Sequence, residues 1–283
     1  MLLYAEGSVK EEIAGSASMR TVLTIAGFDP SSGAGVTADL MVFAAHRLFG
    51  TSCITALTVQ STVGVRATEP VRAKLVRETL ECLVSDLSPS GVKIGMLGSA
   101  EVVEVVADFL EELREGELQV PVVLDPVVRS SSGKELLDAL GVEAMRERLL
   151  PVADWVTPNL EELAVLTERG VRRREDLVEA AKVLAEMGGG VNVVATGGHL
   201  IPPDDLVLVG EDAVWLEGEQ IVSRSTHGTG CAFSSALVSR LVLGDQGIDA
   251  ARHAKGYVAE AIRRAEAMGR GLGPVKHLWP LLE

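Results

Sequence analysis

The residues with the most chemical potential sit together in Ser225-Thr226-His227-Gly228-Thr229-Gly230-Cys231, which runs straight into Ala232-Phe233-Ser234-Ser235-Ala236-Leu237. Glycines followed at once by small and apolar residues predict a tight turn that opens into a helix. Glycine admits positive φ and lets a ligand come close to the backbone. The first N–H groups of a helix lack internal partners, and the helix dipole adds partial positive charge there. Gly228, Thr229 and Gly230 therefore predict an anion site suited to phosphate, with Cys231 at its mouth. A helix mouth lowers a thiol pKa from its usual value of about 8.5 and makes it a base or nucleophile. The competing reading is a glycine-capped helix with a core cysteine, a residue type that is often buried. No Gly-Lys-Ser/Thr follows, so the stretch is not a Walker loop.

Further candidates follow other apolar runs. Gln60 comes after the run 51–59; its amide both donates and accepts, so it can pair with the edge of a heterocycle or simply face water. Met96, in 92–97, can pack on a flat ring or serve as core. Asp125 ends the run 120–124 as a carboxylate. Asn159 and Glu162 follow Pro158, and Asn with Glu three residues on is also a helix capping box. Asp39 lies near the start of a predicted helix, behind the glycine loop 27–35, where it is either a first-turn charge or a ligand group.

These residues need elements to hold them. Short apolar runs at 21–26, 51–59, 92–97, 120–124, 154–156 and 191–196 predict buried strands. Helices are predicted at 36–48, 69–86, 135–150 and in a segment ending 180–187. Val102, Val106, Phe109 and Leu113 form an amphipathic stripe. The last of those strands ends in Gly197-Gly198-His199. Runs at 206–209, 213–216 and 220–223 predict antiparallel strands, and 248–268 predicts a long final helix. Alternating strands and helices predict an α/β fold, a mostly parallel sheet with helices on both faces. In such a sheet the carboxyl ends of the strands share one edge, which draws the candidate residues into one site.

The chain has 283 residues, 47% of them hydrophobic, enough for a large core in a single domain spanning 20–283. Its net charge of −14 and lack of a basic face argue against nucleic acid. Arg172-Arg173-Arg174 runs into Glu175 and Asp176 and reads as a solvated helix start. An acidic protein must bind phosphate through local dipoles, glycine loops and metal. Cys53, Cys82 and Cys231 form no CxxC pair, which predicts a reducing, cytoplasmic setting. No apolar run reaches the roughly 18 residues of a membrane span. Residues 1–19, with Lys10, Glu11 and Glu12, lack a signal-peptide core and predict a disordered extension, with Met19 an alternative start.

Taken in order, these stretches resemble one family. Thr24-Ile25-Ala26-Gly27-Phe28-Asp29-Pro30-Ser31-Ser32-Gly33-Ala34-Gly35 resembles the opening of the hydroxymethylpyrimidine/phosphomethylpyrimidine kinases of thiamine biosynthesis, members of the ribokinase-like superfamily. The likeness continues through Ala38-Asp39-Leu40, Ile54-Thr55-Ala56-Leu57 with Gln60, Lys93-Ile94-Gly95-Met96-Leu97 and Val123-Leu124-Asp125-Pro126-Val127. It extends through Thr157-Pro158-Asn159-Leu160-Glu161-Glu162, Gly197-Gly198-His199, Thr226–Cys231 and Gly271-Leu272-Gly273-Pro274-Val275, covering 21 to about 280.

The resemblance implies a three-layer α/β/α sandwich, a homodimer, and transfer of phosphate from ATP to a hydroxymethyl aminopyrimidine and then to its monophosphate. It makes the Gly-Thr-Gly-Cys turn the anion hole and puts Cys231 where most ribokinase relatives carry an aspartate base. It assigns Gln60 to the pyrimidine edge and Gly27, Asp39 and Met96 to the substrate pocket. Asp125, Asn159 and Glu162 fall in the magnesium and phosphate region, and Asn159, Thr196, Gly198 and Thr226 on the nucleotide side. Two positions depart from the family pattern: Ser131 and Thr196 stand where many members carry lysine. Phosphoryl transfer depends on positioning and charge, so Arg129, Lys134, Arg224 or magnesium must supply what those lysines would. Two alternatives stay open. One is a pyridoxal or pyridoxine kinase. The other is a pyrimidine-binding regulatory protein without turnover, motivated by the missing lysines and opposed by the retained Cys231, Asp125, Asn159 and Glu162.

Overall fold

The computed structural model describes residues 19–116, 119–171, 173–198 and 200–282. The predicted extension, up to Ser18, lies outside them, as do Arg172 and His199.

In chain order the elements are β1 (Thr21–Phe28), α1 (Gly35–Ala45), β2 (Phe49–Ser61), β3 (Gly64–Pro70), α2 (Ala73–Asp86), β4 (Val92–Ile94), α3 (Ala100–Glu115) and β5 (Val122–Leu124). They continue with α4 (Ala139–Ala144), β6 (Trp155–Val156), α5 (Leu160–Thr167), α6 (Arg174–Met187), β7 (Asn192–Ala195), β8 (Asp205–Val209), β9 (Asp212–Leu216), α7 (Thr229–Leu243) and α8 (Gly247–Arg263). Among the described residues the strands form one sheet in the order β3-β2-β1-β4-β5-β6-β7-β8-β9. The run from β2 through β7 is parallel, and β3, β8 and β9 add antiparallel edges.

The strands read as unbroken apolar runs because both faces of the sheet are covered. Leu23, Ile25, Val92, Ile94, Val122, Leu124 and Val193 pack under α2, α3, α5 and α6. Their neighbours Val22, Val123 and Val194 point the other way, into a layer built from α1, α7 and α8. The result is the expected three-layer sandwich. The stripe on α3 is confirmed: Val102, Val106 and Phe109 are buried, and Leu113 packs at the margin.

Some boundaries differ from the sequence pattern. Residues 64–70 form β3, antiparallel to β2 with Leu57 opposite Glu69, so the helix predicted from 69 starts at Ala73. Inward periodicity resumes only at Val76 and Leu80, which the charged residues before them obscure. The helix predicted over 135–150 is shorter. Leu136 N–H donates to Val128 O at 2.8 Å, and the helix begins only after Asp138 accepts from Gly141 N–H, also at 2.8 Å. It then widens into a π turn at Met145–Leu149 and a 3-10 turn at Leu150–Val152, where Pro151 cannot donate. Residues 220–223 are not a strand, because the sheet ends at β9. The last helix stops at Arg263 rather than continuing to 268.

Leu110 on α3 is fully buried in the α2–α6 layer, away from the carboxyl edge of the sheet. Leu110→Ala is expected to cost about 2–5 kcal/mol of stability by leaving a cavity. Chemical denaturation checks the cost, and the kinetic constants of the folded fraction are expected to stay unchanged.

Candidate active site

The carboxyl edge of the parallel strands gathers Gly27 from β1, Gln60 from β2, Met96 after β4, Asp125 after β5, Asn159 after β6 and Thr196 after β7. That is the edge where ligands bind in open α/β sheets.

The glycine turn has the predicted form. Gly228 is the N-cap of α7 at φ 83, and a Cβ there would collide with the carbonyl of Gly33. Ala232 N–H is the first to bond back into the helix, to Gly228 O at 2.8 Å. The N–H groups of Thr229, Gly230 and Cys231 thus precede the helical ladder and suit an anion.

Cys231 departs from expectation in its charge state. Burial pushes its thiol up to about 12, against the lowering expected of a helix mouth. Lys93 opposes that rise, and Asp125 and Asp39 add to it. Burial therefore favours the neutral S–H form of Cys231.

Asp125 is 4% exposed and Glu162 7%. Burial raises the pKa of Asp125 against the pull of Lys93. Burial and the neighbouring Asp125 push Glu162 up to about 8. The capping box is real: Asn159 Oδ1 accepts from Glu162 N–H, and Glu162 Oε2 accepts from Asn159 N–H, both at 2.9 Å. Asn159 pairs with Thr196 in an isolated parallel bridge, so these two sit side by side. Thr196 is half-buried, as is Thr226, while Gly198 is exposed. Among the described residues no group of three His, Cys, Asp or Glu is arranged to hold a metal by itself.

On the substrate side, Met96 is nearly buried, and a Cβ on Gly27 would lie 2.9 Å from its sulfur. Glycine at 27 is what lets the thioether lie flat against β1. Gln60 is half-buried with its amide 3.1 Å from His227 Nε2 and 3.3 Å from Thr58 Oγ1. Thr58 spends its one proton on Phe28 O at 3.0 Å. His227 Nε2 faces Asp29 Oδ2 at 2.8 Å. Burial opposes charge on Asp29, but bonds from His227 and Ser31 hold its pKa below the ordinary value, so it is a carboxylate. His227 Nε2–H therefore donates to Asp29. The proton count then turns the Gln60 amide with its oxygen toward His227 and its nitrogen toward Thr58.

Asp39 is fully buried, and both its oxygens are taken by Thr24, Lys93 and Ser235, so it offers no free atom to a pocket. Arg129, Lys134 and Arg224 are exposed, as is Ser131. Sequence reasoning passed over Asp29, Lys93, Ser234, Ser235 and His227 as individuals. For Lys93 a signal existed: a lysine inside a buried apolar strand demands a partner. The serines look like any small helix residue.

A model of the phosphomethylpyrimidine kinase family matches residues 29–276. The chain is 39% identical to the hydroxymethylpyrimidine/phosphomethylpyrimidine kinase of Haemophilus influenzae, over 92% of this chain and 97% of the relative. The crystal structure of phosphomethylpyrimidine kinase from Clostridium difficile superposes with a TM-score of 0.76 at 33% identity, covering 86% of this chain and 99% of the other. An ADP complex of Bacillus subtilis pyridoxal kinase superposes with a TM-score of 0.83 at 31% identity, covering 94% and 100%. With its ribokinase-like sandwich and glycine-cysteine helix mouth, the chain belongs to the hydroxymethylpyrimidine/phosphomethylpyrimidine kinase family.

Proposed function

We propose that the chain transfers the γ-phosphoryl group of ATP to the primary hydroxyl of 4-amino-5-hydroxymethyl-2-methylpyrimidine and then to its monophosphate, in thiamine biosynthesis. The observation that carries this reading is the meeting, at one sheet edge, of an amide reader, a phosphate-binding helix mouth and a buried carboxylate pair. The amide of Gln60 pairs with the amino and ring-nitrogen edge of the pyrimidine while Met96 covers its face. Asn159, Thr196, Gly198 and Thr226 line the nucleotide side. Gly228, Thr229 and Gly230 hold the transferring phosphoryl group, and Cys231 acts as base only as its thiolate: its S–H proton leaves to solvent as the ternary complex forms, and the thiolate then takes the hydroxyl proton.

Magnesium fits this site. Asp125 and Glu162 are buried hard-oxygen donors; burial raises both, and Asp125 makes Glu162 harder still to ionise. Magnesium is commonly held by one or two carboxylates plus substrate phosphates, so no complete protein cage is needed. Asn159 has its amide oxygen committed to the cap and offers its NH₂ to a phosphate oxygen instead. Bound magnesium would neutralise nucleotide phosphate charge during transfer.

A second reading has one observation in its favour: the Bacillus subtilis pyridoxal kinase superposes over nearly the whole chain. Comparing wild-type turnover of the pyrimidine alcohol and of pyridoxal separates the two, and a preference for pyridoxal reverses the assignment. The regulatory alternative fails if any turnover tracks ATP. On assembly, Leu57 at 50% and Val59 at 59% exposure share one face of β2, which supports a homodimer through that face.

Cys231→Ala is expected to lower turnover by roughly 10²–10⁴ at little cost in substrate affinity; near-normal turnover removes Cys231 from the base role. Gln60→Ala leaves a buried polar edge unpaired, worth about 1–3 kcal/mol. It is expected to raise KM for the pyrimidine more than it lowers turnover, with KM for ATP unmoved in the same steady-state assay.

A third prediction concerns Glu162, whose pKa burial pushes up to about 8 in the folded chain, above the ordinary 4.5 of the unfolded one. Between those values the folded chain holds a proton that the unfolded chain has lost, so this group's contribution to stability falls as pH rises. Metal-free Tm is expected to drop from pH 5 to pH 8, less steeply in Glu162→Gln, and magnesium is expected to raise Tm more at pH 8 than at pH 6. Parallel Tm curves for both proteins would show that Glu162 is only a helix cap.

A further inference from the structure

Lys93 lies mid-strand in β4. Its neighbours Val92 and Ile94 face the α2–α6 layer, and Lys93 points into the other layer, toward α1 and α7. Its side chain is 0% exposed. Nζ donates to Asp39 Oδ1 at 3.1 Å and Oδ2 at 3.0 Å and lies 3.9 Å from Asp125 Oδ2. Gly95 leaves room for it, since a Cβ there would stand 2.8 Å from Nζ.

Both acids are tied to the helix that carries the phosphate-facing turn. Ser235 Oγ donates to Asp39 Oδ1 at 2.8 Å. The adjacent Ser234 Oγ donates to Asp125 Oδ2 at 3.1 Å. Thr24 Oγ1 completes Asp39 at 2.6 Å. One ammonium thus gathers two carboxylates, and each carboxylate grips one of two consecutive residues in the first turns of α7. Stability alone does not call for this arrangement, because replacing a buried ion pair by apolar residues of similar volume is often neutral or better.

We propose that Lys93 is a positioning residue for phosphoryl transfer, fixing through Asp39–Ser235 and Asp125–Ser234 the register of α7 against the sheet edge. That register sets where Cys231 and the N–H groups of the helix mouth meet the substrate hydroxyl. Asp39 then belongs to the site indirectly, as the anchor of Lys93. The inference rests on the kinase reading above.

The test compares steady-state kinetics and thermal melting of wild type, Lys93→Met, Lys93→Met/Asp39→Asn and Ser235→Ala, with the pyrimidine alcohol and ATP. Lys93→Met alone is expected to melt lower, because Asp39 is left buried and unpaired. The double variant removes both charges and is expected to recover most of that loss. Its kcat is nevertheless expected to stay about 10²-fold below wild type, the scale of an ångström-sized misplacement, with both KM values within about threefold. Ser235→Ala cuts a single tie and is expected to lower kcat about tenfold at nearly unchanged Tm. A double variant with wild-type kcat overturns the proposal, as does a rise in KM at constant kcat; if the double variant fails to fold, wild-type kcat in Ser235→Ala overturns it. The wild-type rate reports separately on the kinase reading. If wild type turns over only pyridoxal, that reading fails, and the same variant ratios measured on pyridoxal decide the role of Lys93.

Discussion

An ammonium group with no access to water keeps its charge only if its surroundings replace the lost hydration. Burial works against the charge of Lys93, but Asp39 and Asp125 hold its pKa above the ordinary value. Removing one partner of such a pair typically costs about 3–5 kcal/mol. Here that requirement links β1 through Thr24, α1 through Asp39, β4 through Lys93 itself and α7 through Ser235. These are the elements that carry the glycine loop and the anion turn. The balance is also uneven, because one cation faces Asp39, Asp125 and the Cys231 thiol. Burial keeps the thiol protonated, with Asp125 and Asp39 adding to that, and burial likewise raises Asp125 and Glu162.

A second constraint joins the two glycine stretches. Asp29 takes Ser31 N–H at 2.8 Å and Ala34 N–H at 3.0 Å, which folds the first loop, and accepts from His227 at the threshold of the second. A Cβ on Gly228 would then strike the carbonyl of Gly33, and one on Gly33 would strike the His227 ring. His277, 3% exposed, reaches Gly33 O through Nε2 at 3.1 Å. Gly273 bonds in both directions with the segment 224–227. The C-terminal segment therefore backs the same contact, which accounts for glycines as far along as 273 in a fold whose chemistry lies elsewhere.

The layers and the site edge were legible because hydrophobic runs and strand–helix alternation report directly on burial. Cys231, Asp125 and Glu162 were legible as types at strand or helix ends. Their ionisation was not, since it depends on which acids burial brings together from distant segments. For Cys231 the lowering expected of a helix mouth is overridden by burial, with Asp125 and Asp39 adding to the rise. β3 was hidden because an exposed edge hairpin needs no apolar alternation. The break in 135–150 was hidden because the contact that stops the helix, to Val128 O, is made by a residue outside it.

An acidic chain of this kinase family has to create its attraction for phosphate locally. The net charge of −14 repels phosphate at long range, and Ser131 and Thr196 add no cations beside it. What the site offers instead is backbone N–H groups at a helix mouth and a pair of carboxylates that are costly to ionise alone. The N–H groups attract phosphate without needing a charged side chain. The two buried acids differ: on the proposed reading they favour a phosphate that arrives with its cation, which displaces the proton that burial leaves on Glu162. On the proposed reading, the acidity that weakens attraction for free anions is what selects a metal-bearing nucleotide. Lys93, sealed beneath both, then serves geometry and does not compete for the phosphate.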